Sequence, residues 1–181
     1  MKVLMANQQI IWIFFSSVVI FTVNSKAKNN TIEVDIVKFL DPTEQIWTSN
    51  STVPAEVACK VDKVYNATKT DVVFHRYYMR PRRQWRHGQL YGHFLTWNRK
   101  DAGKGFYDTM DISTSQKKGA GVEGIHYQSP DNKCAVIWIL SNKGLKIRVN
   151  YELRVKESAL KKGLYKNCWN EFAKVASERS G

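Results

Sequence analysis

Residues 131–156 read DNKCAVIWILSNKGLKIRVNYELRVK, two apolar runs joined by a turn. The first, Cys134 to Leu140, is apolar on both faces, the pattern of a strand buried in the wall of a closed or well-covered sheet. Ser141, Asn142, Lys143 and Gly144 supply turn chemistry, with Gly144 free to take a positive φ. The second run alternates strictly: Leu145, Ile147, Val149, Tyr151, Leu153 and Val155 share one face, Lys146, Arg148, Asn150, Glu152, Arg154 and Lys156 the other. A slip of one residue would invert every side chain, so the register is strongly specified. Two readings of the polar face remain open. It faces solvent, with Tyr151 and Leu153 inside, or it turns Glu152 and Arg154 into an enclosed space.

Upstream, turn chemistry punctuates a β pattern that starts near Glu56. The predicted strands are 56–66, 71–80, 88–98, 104–112, 121–128, 134–140 and 145–156, and Ile46-Trp47-Thr48 makes an eighth, short extended piece. Short strands at regular spacing describe an up-and-down barrel or a sandwich. Before them, Ile32, Ile36, Phe39 and Leu40 fall at helical spacing, with Asn30 or Thr31 as cap and Glu33 placed for a capping box on Asn30. After them, Cys168, Phe172 and Val175, with Trp169, Ala173 and Ala176, form an amphipathic helix.

Residues 1–25 read as a secretory signal peptide: Lys2, an apolar run from Ile10 to Phe21, and small residues before a cut after Ser25 or Ala27. The run is shorter than the roughly 20 residues that a bilayer span needs. Residues 26–181 then form a single domain large enough to bury a core. The sequons at Asn29, Asn50 and Asn66 agree with export. The formal charge is +12, and only Lys2 leaves with the leader, so the mature chain attracts anionic partners without selecting among them. Three cysteines in an oxidising compartment imply one disulfide and one cysteine left over.

The order Ile46-Trp47, Cys59, Asp131-Asn132-Lys133-Cys134 leading into an apolar strand, Tyr151-Glu152-Leu153-Arg154-Val155-Lys156 and Cys168 resembles the tick salivary lipocalins of the histamine-binding-protein type. The likeness spans most of the mature chain. It implies a mainly β fold: an eight-stranded antiparallel lipocalin-like up-and-down barrel, with a short N-terminal helix and a C-terminal helix packed on the wall. It also implies a Cys134–Cys168 disulfide, which would stabilise the fold by about 3–4 kcal/mol through loop closure. The family's partner for Cys59 is missing here. Cys59 is read as buried and unpaired, because it shares a strand face with Val57 and Val61.

Such barrels capture a small ligand without turnover. By the resemblance, Glu44 and Trp47 fall near the pocket mouth, Glu123 takes a pocket aspartate's position, and Tyr151-Glu152 matches the family's Tyr-Glu-Leu. These residues suit a biogenic amine such as histamine or serotonin, because a cation calls for buried carboxylates and aromatic walls. Departures point the other way. Ala135 stands where an aspartate is expected, and Arg154 replaces an aromatic and would suit an acid such as a fatty acid or leukotriene. The chain is therefore read as a secreted, glycosylated scavenger of a host amine, with a lipid mediator as the alternative. A third reading is a basic surface, Arg80-Pro81-Arg82-Arg83-Gln84-Trp85-Arg86-His87, that grips anionic glycans.

Other chemistry finds little support. Gly119-Ala120-Gly121-Val122-Glu123-Gly124 matches G-x-G-x-x-G but runs into a strand, so its glycines suit a turn or bulge better than a dinucleotide. No G-x-S-x-G, C-x-x-C or H-E-x-x-H occurs, and His75, His87, His93 and His126 have no metal-ligand spacing. No enzyme, cofactor, metal, nucleic-acid partner or membrane insertion is expected, and the protein is expected to be a monomer.

Overall fold

Eight antiparallel strands pair in chain order and the last returns to the first, closing a barrel. They are β1 (Ile46–Ser51), β2 (Cys59–Ala67), β3 (Asp71–Arg80), β4 (Gln84–Leu95), β5 (Thr109–Thr114), β6 (Gly119–Gln128), β7 (Cys134–Lys143) and β8 (Lys146–Lys156). The described residues also form three helices: α1 (Ile36–Phe39), α2 (Glu157–Lys162) and α3 (Lys166–Glu178). This computed structural model describes residues 34–53, 59–80, 84–97, 105–115, 119–143 and 146–178, the side chains of 141–147 excepted. The leader, Asn29 and the Asn30–Glu33 capping box lie outside those residues.

Strict pairing tells which side chains share a face. Ala135, Ile137 and Ile139 oppose Arg154, Glu152 and Asn150, and Ile46 and Thr48 oppose Asp62 and Lys60. This set lines the interior, and the opposite parity of β7 and β8 lies outside under α3. There Val136, Leu153 and Val155 pack with Ala159, Phe172 and Val175. The Cys134–Cys168 disulfide, with Cα atoms 6.1 Å apart, ties α3 to the wall. β8 is thus covered on both sides, and it is the polar face that turns inward.

One end of the interior is solid. Ile36, Phe39 and Leu40 of α1 and its C-cap join Ile46, Val64, Val72, Phe74, Phe94, Met110 and Ile125 in one apolar cluster. Packing is tight enough that a Cβ at Gly92 would lie 2.7 Å from Val72 Cγ1. The capping of α1 differs from the sequence expectation: the helix is a single turn, and Asp35 caps it by accepting from the Val37 and Lys38 amides.

Several strand limits also move. β4 starts at Gln84, so Trp85, Arg86 and His87 belong to a strand and not to a basic loop. β5 runs later than predicted, and β7 continues through the expected Ser141–Lys143 turn. Strand propagation wins there because residues 141–143 stay paired with residues 146–148 of β8, which extends the hydrogen-bonded ladder. The glycines of β6 serve a bulge, with Ile112 opposite Gly121 and Ser113 opposite Gly119. Gly121 has φ +137°, and a Cβ at Gly124 would fall 2.2 Å from the Trp138 ring, which makes glycine necessary at both positions. α2, absent from the sequence reading, ends on Gly163 in the left-handed region. On α3 the buried face is Cys168, Phe172 and Val175, whereas Trp169 and Ala173 point to solvent.

Candidate functional site: a charged layer across the barrel

Above the apolar end, six ionisable side chains from four strands meet in the interior. β2 contributes Lys60 and Asp62, β3 Arg76, β6 Glu123, and β8 Glu152 and Arg154. Arg76 binds Asp62 through Nε and Nη2, both at 2.8 Å, and Glu123 through Nη1 at 2.6 Å. Arg154 donates from Nη1 to Glu123 at 2.6 Å and from Nη2 to Glu152 at 2.8 Å. Lys60 closes the chain on Glu152. Three carboxylates therefore face three cations, and charge-assisted, largely bidentate bonds join them across the lumen.

The electrostatics follow from this enclosure. Burial alone would push the Glu123 carboxyl up, but the Arg154 and Arg76 guanidiniums override it and hold it well below the usual range. Asp62 and Glu152 are likewise lowered against burial, by Arg76 and by Lys60 with Arg154 respectively. Burial pulls Lys60 down, opposed by Glu152. All three acids are ionised at neutral pH, and each already has a cation.

The layer is not symmetric toward the opening. Side-chain exposure is 3% for Asp62 and Glu123, 6% for Glu152 and 2% for Arg154, against 16% for Lys60 and 17% for Arg76. Its accessible atoms belong mainly to cations. Gly88, which is exposed, opposes Arg76, and a Cβ there would meet nothing within 4 Å. Tyr78 lies toward the mouth, opposite Lys60, whereas Leu90 opposes Phe74 and packs against the apolar end.

The residues singled out from sequence divide into two groups. Glu123, Glu152 and Arg154 come together in the lumen. Tyr151 lies outside among the α3 contacts, with its ring 5.7 Å from that of His126. Trp47 opposes Val61 and Val155, which places it on the outer face. Glu44 sits at the α1 end, where it accepts from the Ser158 amide at 3.0 Å and binds Lys133. Those bonds bring its pKa down to about 2. Cys59 has no disulfide partner, but it is half-buried on the outer face, and the expectation of full burial is corrected. Its strand face, shared with Val61, turns away from the core. Three members of the layer were not foreseen: Lys60, Asp62 and Arg76. Their signal was charge at alternating positions, Lys60 and Asp62 around Val61, the same signature that β8 carries.

No protein-family model matches the sequence, and no curated protein matches it. Solved structures do. The siderocalin Ex-FABP, described as functioning through dual ligand specificities, aligns with a TM-score of 0.54 at 10% identity, covering 76% of this chain and 85% of its own. Japanin from Rhipicephalus appendiculatus, solved bound to cholesterol, aligns at 0.43 and 12% identity over 65% of this chain and 76% of its own. The cockroach allergen Per a 4 aligns at 0.45 and 13% over 67% and 68%. The barrel, its closing strand order and its wall-packed C-terminal helix are those of the lipocalin fold. At this identity the likeness to the siderocalin carries the fold alone.

Proposed function

We propose that the protein is a secreted binding protein that captures a small amphipathic acid, such as a fatty-acid-derived mediator, in the open half of its barrel. The observation that carries this reading is the asymmetry of the charged layer. Lys60 and Arg76 present donors toward the mouth, while Asp62, Glu123 and Glu152 are covered and neutralised. A carboxylate reaching the layer gains a cationic floor, and its apolar part stays beside Tyr78. Binding is stoichiometric, and no reaction is assigned to the layer.

The amine reading draws on the same residues, since Glu123 and Glu152 both face the lumen. An ammonium ion would, however, have to displace Lys60 or a guanidinium from bidentate bonds, and a buried cation left unpaired is costly. Titration calorimetry with a long-chain fatty acid, a leukotriene, histamine and serotonin separates the two. The acid should bind, and Lys60→Met should weaken it by about 10–100-fold, the worth of one charged hydrogen bond, while the variant still melts cooperatively. Histamine or serotonin binding that disappears in Glu123→Gln, with no acid binding, would restore the amine reading.

A further inference from the structure

The outward face of β2, β3 and β4 carries an aromatic array that no helix covers among the described residues. Tyr65 and His75 have ring centroids 4.5 Å apart, Tyr77 and His87 5.4 Å, and His75 and His87 stack at 5.9 Å. Tyr65 is 51% exposed. The rims of these rings are polar: Gln89 reaches the Tyr91 hydroxyl at 2.7 Å, and Lys63 Nζ lies 5.5 Å from the Tyr65 ring centre. Flat rings with hydrogen-bonding edges and little formal charge suit a pyranose, whose C–H face stacks on an aromatic ring while its hydroxyls and acetamido group bond alongside.

An attachment point for such a sugar lies beside the array. The next residue after Tyr65 is Asn66, the first of the sequon Asn66-Ala67-Thr68. Asn66 is exposed, and the register shift between Val64 and Asn66 sets it opposite Val73, on the outward parity. The Thr68 hydroxyl accepts from the Asp71 amide at 2.9 Å, which holds the β2–β3 turn in the shape that presents Asn66. By contrast Asn50 is half-buried within β1, opposite Leu153 of β8.

We propose that Asn66 carries an N-linked glycan whose first sugar rests on Tyr65 and shields the aromatic face of β2–β4. Attachment is the transfer made in the secretory lumen. The Asn66 amide nitrogen bonds the anomeric carbon of a lipid-diphosphate-linked oligosaccharide, the carbon–oxygen bond to the diphosphate breaks, and the amide proton is released. The proposal shares the requirement for export with the proposed function but not its ligand.

The test expresses the full chain through an insect-cell secretory route, with glycopeptide mass spectrometry at Asn66 and thermal melts of each form. The glycosylated protein should melt about 2–4 °C above Asn66→Gln, the shift expected of a modest contact in a chain of this size. Trimming to one sugar should keep that difference, and Tyr65→Ser should abolish it. An exported protein with Asn66 bare overturns the proposal alone, as does a difference that persists in Tyr65→Ser. A chain that is neither exported nor glycosylated overturns the export reading together with it.

Discussion

Arg154 is 1% exposed, and it holds Glu123 on one side and Glu152 on the other. Its replacement by Met would leave two ionised acids in the lumen with only Arg76 and Lys60 to balance Asp62, Glu123 and Glu152. Removing one partner from a buried ion network costs on the order of 3–5 kcal/mol, because the partners left behind keep their desolvation penalty. Urea unfolding of Arg154→Met should show that loss, and adding Glu152→Gln should recover part of it, since the double change restores neutrality. Gains that simply add with no coupling would mean that the two side chains act independently. At this scale the sequence was partly legible. Glu123, Glu152 and Arg154 were singled out, but Lys60, Asp62 and Arg76 were not, since the contacts that define them span 92, 14 and 47 positions of chain. No local pattern reports which charges will meet across a lumen.

Among the elements, β8 shows where pattern reading stops. Its alternation identifies a strand and its register, yet from Asn150 onward both faces are largely buried, and the apolar one belongs to the α3 interface. An apolar face and a core face are the same thing only when nothing packs on the outside of the barrel. The cysteines were better signposts, because a disulfide opening β7 and entering α3 requires that helix to lie on the wall. Breaking it with Cys134→Ser releases a loop of 34 residues and should cost about 4 kcal/mol in the loop-closure picture. Because α3 covers Leu153, Val155 and Val136, the same variant should also bind a hydrophobic dye in its native baseline. In β6, Gly124→Ala drives a methyl into Trp138 and should destabilise the barrel by about 1–3 kcal/mol.

For the molecule as a whole, acid is the revealing variable. Asp62, Glu123, Glu152 and Glu44 all have lowered pKa values in the fold, the last about 2. Lowered carboxyl values mean that the unfolded chain binds more protons, so their contribution is complete above the ordinary carboxylate pKa of about 4 and is lost as pH falls through the folded values. Melting temperature should therefore fall steeply below about pH 4. Glu44→Gln should lower it at neutral pH and make much less difference near pH 2, where the wild-type carboxylate is itself about half protonated. Eight short strands were legible from turn chemistry and strand pattern, but that pattern left a barrel and a sandwich open, and the closed barrel was implied only by the family resemblance. The polar content of its middle was not legible, since closed barrels are as well served by an apolar filling.

That middle layer also sets a depth. With Met110, Phe94 and Phe74 packed beneath the charges, a guest resting on the layer enters only the part of the barrel beyond it, as into a cup. Little apolar surface leaves water when such a cup fills. Binding should accordingly show a small negative heat-capacity change and be governed by enthalpy, and a long-chain guest would leave its tail at the rim, where an antibody or a second protein can reach it.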